Sequence, residues 1–270
     1  MKKNLLKSIF LLLISAGLVS GAFAAKKDKA AKTKVKKLYV GVGNAYKPYC
    51  YIDEKGKLAG YEYEVLSAID ELLPQYEFEY EPTQFTSLFS GLSQKKYDAI
   101  AQQIEYNPDR YERYEFTKET YTTFITYITV LKETQGINSL EDLSGKTAYI
   151  SNGDNSLWYL EDFNKKHPGK EIKIETGNLS TDERMAGLKS HRWDFTVSTK
   201  RDVESRNKEY GDILKITGKP VQTSSTYFLF QKGNTELRDA FDGAIRELKK
   251  SGKLREISIA VIGGDYTESE

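Results

Sequence analysis

The strongest constraint on the fold is a repeated alternation of strand-like and helix-like segments that begins at Leu38. Leu38, Val40 and Val42 repeat with the two-residue period of a strand, and apolar residues then follow helical spacing over 61–72 until Pro74 stops the pattern. The next predicted segments are a strand, a helix and a short buried strand, at 76–80, 85–94 and 98–102. This succession predicts an α/β sheet with right-handed crossovers.

A second α/β set follows a long β-rich stretch at 121–131. Its predicted elements are a strand over 147–150, a helix after Gly153, a strand over 172–174, a helix over 181–190 and a strand over 194–198, and the chain closes with a strand over 226–231 and a helix over 235–251. Two similar sets joined by two extended crossings predict two lobes, lobe 1 from residues 37–122 and 223–270 and lobe 2 from residues 123–222. Small ligands usually bind in the cleft of such an arrangement.

The N-terminus has the pattern of an export signal. Residues 1–24 combine a basic start, an apolar run at 9–19 and a small-residue ending at Ala22-Phe23-Ala24. The apolar run is shorter than the roughly 20 residues that a membrane-spanning helix needs. We therefore expect cleavage after Ala24 and a periplasmic protein. Residues 25–36 form a lysine-rich basic linker, which is typical of a solvated tether and would also be attracted to an anionic membrane surface.

Charge and composition exclude several functions. The formal net charge of +1 combines +3 in residues 1–24 and +6 in residues 25–37 with −8 in the rest of the chain, and so acidic a body is unsuited to binding nucleic acid. One cysteine and two histidines leave no internal disulfide and no cysteine-rich or multi-histidine metal site. No nucleophile elbow, phosphate-binding loop, metalloprotease motif or dinucleotide fingerprint is present. We therefore predict no catalytic residue, no metal and no cofactor.

Two polar loops carry the strongest chemical signals. Glu105 and Arg110 follow a buried strand, and because arginine pairs with carboxylate while glutamate can hold ammonium, together they suit a zwitterion. The same residues are equally typical of an ion pair in a charged surface turn. Asp154 and Asn155 lie where a helix starts, and the N–H groups of a helix start can bind an anion. Asp154 is also typical of an ordinary N-cap.

Four aromatic residues near strand ends leave two interpretations open. They are Tyr46, Tyr49, Tyr51 and Phe85. Such residues can wall a ligand pocket, and they can equally belong to the core of the lobe. The pattern alone does not decide between the two.

Six motifs in consistent order give the chain a specific resemblance, which covers residues 37–266. The motifs are YVGVGNAYKPYCYID, GKLAGYEYEVLSAID, FTSLFSGLSQKKYDAIA, NPDRYERYEFTKETY, INSLEDLSGKTAYISNGDN and ELRDAFDGAIRELKKSGKLREIS. Together they resemble the extracytoplasmic solute-binding proteins of polar amino-acid ABC importers (family 3). LLPQYEFEYEP, QQIEYNPDR and GGDYTE are most similar to the cystine-binding branch.

The resemblance implies an α/β, two-lobed periplasmic-binding-protein fold of type II, with two crossover strands as the hinge and the ligand in the interlobe cleft. Carried over residue by residue, Arg110 matches the arginine that holds the ligand α-carboxylate. Tyr46 and Phe85 match aromatic walls around the ligand side chain, and Asn155 matches a small polar residue that binds the carboxylate from lobe 2.

Two positions depart from the family pattern. The family commonly has Thr or Ser where this chain has Glu105, and it usually has an ammonium-binding Asp at the position of Thr199, five residues after Asp194. We hypothesise that Glu105 replaces the missing ammonium partner and that Thr199 adds a weaker polar contact. The predicted ligand-binding set is Arg110, Glu105, Gln103, Tyr46, Phe85, Asn155, Asp154 and Thr199.

The function implied by the resemblance is that of a non-enzymatic receptor. We expect a periplasmic, monomeric substrate-binding component of an amino-acid ABC transporter, which closes on L-cystine or a related sulfur or polar amino acid and docks on a permease in the inner membrane. Two alternatives stay open. One is a periplasmic dehydratase-like enzyme on the same scaffold, for which Glu105 is the one candidate acid, and the other is an amino-acid sensor without a transport role.

Overall fold

The structure, a computed structural model, describes residues 35–267. The predicted signal peptide, residues 1–24, and the predicted linker up to residue 34 lie outside the described residues. The strands are β1 (Lys36–Gly43), β2 (Ala45–Tyr46), β3 (Cys50–Ile52), β4 (Leu58–Ala59), β5 (Tyr76–Thr83), β6 (Ala99–Glu105), β7 (Tyr114–Phe116), β8 (Thr122–Leu131), β9 (Thr147–Ser151), β10 (Lys173–Gly177), β11 (Thr196–Thr199) and β12 (Leu214–Gln231). The helices are α1 (Tyr61–Leu72), α2 (Phe85–Ser93), α3 (Pro108–Arg113), α4 (Asn155–Lys166), α5 (Thr181–Lys189), α6 (Lys200–Tyr210), α7 (Thr235–Lys250) and α8 (Lys253–Ile262), with a short 3₁₀ turn at Glu141–Leu143.

One sheet links the two halves of the molecule. Its strand order is β11-β8-β12-β6-β1-β5, with β7 paired to β12 outside that path. β1 runs parallel to β5 and β6, whereas β12 runs antiparallel to β6, β7 and β8. A parallel pair, β9 and β10, adjoins the β11 end through a bridge from Ala148 to Phe195. Each lobe therefore contains parallel strands with helical crossovers.

Helix α1 shows how the sequence sets an element's ends. The helix begins after Gly60, whose φ of +106° is costly for any other residue, and a Cβ there would lie 2.4 Å from the Tyr49 carbonyl oxygen. It ends at Leu72, two residues before Pro74. Its buried face includes Val65, which belongs to the apolar core of lobe 1. The predicted helix over 61–72 is confirmed.

The buried apolar residues separate into two regions. Two clusters take their buried members only from residues 38–116, 121 and 228–262, all within the ranges predicted for lobe 1. Two others take theirs only from residues 128–214, within the range predicted for lobe 2. Each lobe therefore has its own hydrophobic core, and the chain enters lobe 2 and returns from it.

Strands β8 and β12 are the two crossings between the lobes. They pair along almost their full length, from Thr122 opposite Thr226 to Leu131 opposite Leu214. The register shifts around Pro220, which has no N–H group to donate to the ladder. The connection between the lobes is therefore a hydrogen-bonded two-stranded ribbon.

The structure differs from the predicted elements mainly in its polar segments. The last crossing begins at Leu214, twelve residues before the predicted strand at 226–231. Helix α6, which was not predicted, buries Val203 as its one apolar residue, so it lacks an apolar stripe. Helix α3 was not predicted either, and helix α8 was not predicted although it buries Leu254, Ile257 and Ile262. Polar segments give no hydrophobic period, and their structure depends on neighbouring elements.

Candidate functional site

A cavity of about 540 Å³ lies between the two lobes. Cavities of this size are typical of small-molecule sites. Its walls come from the carboxyl ends of β1, β5 and β6 in lobe 1, and of β9, β10 and β11 in lobe 2. Because loops and helix starts follow those strand ends, polar side chains from six separate places in the sequence meet in one cleft.

Arg110 is a fixed, buried cation in this cavity, with 5% of its surface exposed. It lies in the first turn of α3, where the Asn107 side chain caps the helix by accepting from the Arg110 N–H at 2.8 Å. Its Nη1 donates to the Glu105 carbonyl oxygen at 2.9 Å, and its Nη2 donates to the Gly153 carbonyl oxygen at 2.5 Å. Burial lowers the pKa of Arg110. The guanidinium therefore connects the two lobes and is held ready for an anionic group.

Glu105 ends β6 and is 4% exposed, so the alternative of a surface ion pair with Arg110 is wrong. Its Oε1 accepts hydrogen bonds from Gln222 Nε2 at 2.6 Å and from Ser224 Oγ at 2.7 Å, both on the crossing strand β12. Burial raises the pKa of Glu105 to about 8. The carboxyl group is therefore mostly protonated at neutral pH unless a cation arrives beside it.

Gln103 lines the cavity in an unusual backbone conformation, with a φ of +44°. Its backbone N–H and its side-chain Nε2 both donate to Glu62 Oε1, the latter at 3.1 Å, and Tyr121 donates to the same oxygen at 2.9 Å. The β6–β12 register shifts at this point. Burial raises the pKa of Glu62 to about 7. Glu62 was not predicted to take part in the site. The sequence did indicate that it is buried, because it lies on the same face of α1 as the buried Val65.

The start of α4 brings Asp154 and Asn155 to the cavity. Asp154 acts as the N-cap, because its side chain accepts from the Ser156 N–H at 2.9 Å. Asn155 accepts from Asn107 Nδ2 at 2.8 Å and donates to the Tyr106 carbonyl oxygen at 3.2 Å. Asn155 therefore joins the lobes directly while it also lines the cleft.

Tyr46 and Phe85 both line the cavity, where Phe124 and Tyr149 are further aromatic residues of the wall. The Tyr46 hydroxyl donates to Asp202 Oδ2 at 3.2 Å across the cleft, while its ring lies 4.8 Å from the ring of fully buried Tyr49. Phe85 begins α2 and lies 3.4 Å from the place a Cβ would take on Gly153. Of the four aromatic candidates, Tyr46 and Phe85 therefore match the pocket interpretation, and Tyr49 matches the core interpretation.

Thr199 is the predicted residue that the structure does not bring to the cavity. It is 2% exposed and caps α6, where its hydroxyl donates to Asp202 Oδ2 at 2.9 Å and accepts from the Asp202 N–H at 3.1 Å. This capping box uses the hydroxyl fully. The carboxyl group that lines the cavity from this helix is Asp202 itself. The T-x-x-D spacing was the sequence signal for it.

Two further arginines line the lobe 2 wall and were not predicted: Arg184 on α5 and Arg206 on α6. Arg184 Nη2 donates to Thr181 Oγ1 at 2.9 Å, and Arg206 Nη1 donates to Ser198 Oγ at 2.7 Å. Burial lowers the pKa of Arg184, and the positive charge of Arg206 adds to that effect. The spacing of these residues gave no signal, because α5 and α6 carry few apolar residues and so do not show from the sequence which side faces the cleft.

The wall of the cavity thus combines three arginines with four carboxyl side chains. The arginines are Arg110, Arg184 and Arg206, and the carboxyl residues are Glu105, Asp154, Glu183 and Asp202. With Glu105 protonated, equal numbers of positive and acidic side chains remain. Such a wall suits a polar ligand that carries both charges.

Residues 35–267 hold no group of three or more His, Cys, Asp or Glu side chains placed to bind a metal ion. None of the helices described there has the length and apolar character needed to cross a membrane.

Known proteins match this chain over nearly its whole length. The family of bacterial extracellular solute-binding proteins, family 3, matches residues 38–263. The L-cystine-binding protein TcyJ of Bacillus subtilis is 33% identical over 269 residues, which cover 98% of each chain. A putative L-cystine ABC transporter structure from Listeria monocytogenes has a TM-score of 0.80 at 31% identity and covers 87% of this chain and 99% of its own.

A third solved structure, described with glutathione import via GshT and the cystine ABC importer TcyBC of Streptococcus mutans, has a TM-score of 0.78 at 27% identity. It covers 87% of this chain and 98% of its own. The fold is the two-lobed α/β, type II periplasmic-binding-protein fold that the sequence predicts. On the family match and the full-length relative, this chain belongs to the bacterial extracellular solute-binding proteins of family 3.

Proposed function

We propose that this protein is the periplasmic receptor of an amino-acid ABC importer and that it binds L-cystine in the interlobe cavity. The signal peptide is residues 1–24, the mature protein is residues 25–270, and residues 25–36 tether a monomeric two-lobed body. Lobe 1 comprises residues 37–122 and 223–270, and lobe 2 comprises residues 123–222. The separate cores of the two lobes support these boundaries. The closed, ligand-bound receptor docks on an inner-membrane permease.

One observation supports an amino acid as the ligand: a buried arginine and a buried carboxyl group lie side by side on one wall of the cleft. Arg110 bonds to the backbone of Glu105, and the structure gives protein acceptors to two of its five N–H groups. The remaining donors suit the α-carboxylate of an amino acid. Glu105 suits the α-ammonium group, and its ionisation on binding would complete the charge balance.

Closure follows from the same residues. Arg110 bonds to Gly153 of lobe 2, Asn155 bonds to lobe 1, and the Tyr46 hydroxyl reaches Asp202. A ligand that contacts Arg110 and the helix starts of lobe 2 together binds best when the lobes are closed, so it shifts the population toward that state. The β8–β12 ribbon is the hinge of this motion.

The named relatives support cystine among amino acids, since the L-cystine-binding protein TcyJ is a full-length match and the Listeria structure is named as a putative L-cystine ABC transporter. The cavity also suits a ligand with several charges at both ends, which L-cystine has. Phe85 and Tyr46 provide apolar surface for the central disulfide.

The two alternatives have weaker support. A dehydratase needs an acid positioned over its substrate, and Glu105, the one candidate, is held by Gln222 and Ser224. The relatives named above are binding proteins. A sensor without a transport role would use the same cleft, and a neighbouring permease gene distinguishes the two roles.

A thermal-shift titration of the mature protein tests this proposal. L-cystine at 100 times its dissociation constant adds about 2.7 kcal/mol to the free energy of unfolding. For a protein of this size that corresponds to roughly 5–10 °C in Tm. L-cysteine, L-arginine, L-glutamine and glutathione serve as comparison ligands. A shift with another amino acid removes cystine and keeps the receptor, whereas no shift before or after unfolding and refolding refutes amino-acid binding.

A further inference from the structure

The lobe 2 arginines have no role in holding a single amino-acid group at Arg110. Arg184 and Arg206 belong to different helices, α5 and α6, and both line the cavity. Each donates only to hydroxyl oxygens among the described residues: Arg184 to Ser151 and Thr181, and Arg206 to Ser198. No carboxylate lies within ion-pair distance of either one in residues 35–267.

This placement is costly without an anion. The Arg184 Nε–H is buried and has no acceptor in the described part of the chain. Burying a cation without a partner disfavours the folded state, and two like charges on one wall add repulsion. Asp154 and Asp202 offset part of this charge from a distance, but neither accepts a hydrogen bond from the two arginines, so an anionic ligand group can still pair with them directly.

The surrounding backbone favours the same charge. Arg184 lies one turn into α5, which follows β10, and the starts of α4 and α6 line the same wall. Helix N-termini carry partial positive charge. Asp202, in the first turn of α6, can hold a cation next to the arginine pair. The wall therefore repeats, on lobe 2, the combination of arginine and carboxyl group that Arg110 and Glu105 form on lobe 1.

We infer that Arg184 and Arg206 form a second carboxylate subsite, which binds the far end of a ligand whose first carboxylate is held by Arg110. The inference deepens the proposed function and rests on it: the ligand class is an amino acid with a second, remote carboxylate, and in L-cystine this is the second α-carboxylate. Asp202 holds the neighbouring ammonium group. The subsite selects cystine against amino acids that carry one carboxylate.

The experiment compares two ligands that differ in one carboxylate. L-cystine has two, and the mixed disulfide of L-cysteine with cysteamine keeps the disulfide and both ammonium groups but lacks the second carboxylate. Their dissociation constants are measured by calorimetry for the mature protein and for R184Q, R206Q and R192Q. Arg192 is a matched control, because it lies on lobe 2, is largely exposed and pairs with Glu175 outside the cavity.

We expect the unmodified protein to bind L-cystine at least tenfold more tightly than the mixed disulfide, and R192Q to keep that preference. R184Q and R206Q should each lose most of the preference by weakening cystine while the mixed disulfide binds as before. Because the readout is a ratio, a general loss of binding does not imitate it. If one variant fails to fold, as judged by its thermal unfolding, the other decides.

Several results overturn the inference. Equal binding of both disulfides by the unmodified protein overturns it, and so does a loss in R184Q and R206Q that is the same for both ligands. If neither disulfide binds, cystine is the wrong ligand, and glutathione, L-glutamate and L-glutamine then decide about the subsite. Binding of glutamine in preference to glutamate overturns the subsite and keeps the amino-acid receptor. Binding of glutathione or glutamate that R184Q weakens supports the subsite, and binding of none of these ligands overturns both proposals.

Discussion

Glu105 provides the sharpest test of how the receptor holds an ammonium group. Burial between β6 and β12 raises the pKa of Glu105 to about 8, so its carboxyl group is mostly neutral at pH 7. A ligand ammonium group is attracted to the ionised form. Binding must therefore release a proton, and the affinity should rise with pH below about 8.

The size of the effect follows from that pKa. If the ligand binds only when Glu105 is ionised, the apparent dissociation constant is proportional to one plus the ratio of protonated to ionised Glu105 in the free protein. Between pH 7.5 and pH 5.5 the affinity should fall about 80-fold, or about 2.6 kcal/mol. At pH 7 about 0.9 proton should leave for each ligand bound. The range ends at pH 7.5 because α-amino groups themselves begin to titrate above it.

Calorimetry measures both quantities, the affinity from titrations across the pH range and the released protons from buffers of different ionisation enthalpy. E105Q should bind cystine at least tenfold more weakly at pH 7.5 and show little change with pH. E62Q is the matched control, since Glu62 is also buried and titrates with a pKa of about 7 but lies behind Gln103 rather than on the cavity. A flat affinity in the unmodified protein refutes the ammonium role, and an affinity that falls as pH rises shows that neutral Glu105 donates to the ligand.

Three further predictions concern binding and stability. R110M should weaken amino-acid binding at least about 100-fold, since it removes charge-assisted bonds in a buried site, while R113M at an exposed neighbour should not change the calorimetric affinity. Folding raises the pKa of Glu62 from 4.5 to about 7, so the carboxyl group ionises at lower pH in the unfolded state than in the folded state. The contribution of Glu62 to the free energy of unfolding should therefore fall by about 3 kcal/mol as the pH rises from 4 to 8. Urea unfolding at both pH values should show that E62Q removes this loss, and an unchanged loss contradicts the assignment. Tyr46→Phe removes the bond to Asp202 and should weaken cystine binding by about 1 kcal/mol, close to fivefold, without changing Tm in the absence of ligand by more than a few degrees. Equal affinity for that variant in calorimetry would show that the bond does not contribute to closure.

Helices and strands could be predicted from the sequence where the spacing of apolar residues and the positions of Gly or Pro indicate the same limits. Helix α1 begins and ends as predicted because Gly60 and Pro74 mark its limits. The first part of β12, residues 214–225, could not be recognised, because most of its residues are polar, Gly218 and Pro220 interrupt the pattern, and its strand conformation depends on pairing with β8. Its Gln222 and Ser224 use that polarity to hold a buried carboxyl group.

The candidate site was predictable only where loops follow recognisable strands. Glu105 and Arg110 come directly after a buried strand, and Asn155 comes at a clear helix start, so their convergence could be expected. Arg184 and Arg206 lie on helices with few apolar residues, and only the packing of lobe 2 shows that both reach the cleft. Counting five residues from Asp194 pointed to Thr199, whereas the carboxyl group that lines the cavity belongs to Asp202, three residues later. Position along the chain does not distinguish a hydroxyl that caps a helix from a side chain that faces the cavity.

The central position of β12 determines the order in which the chain can fold. This strand lies between β8 and β6, so until residues 214–231 have been synthesised the main sheet remains in two unconnected parts. Helices α7 and α8, which pack on the core of lobe 1, come later still. A nascent chain therefore cannot complete lobe 1 before nearly all of it has left the ribosome.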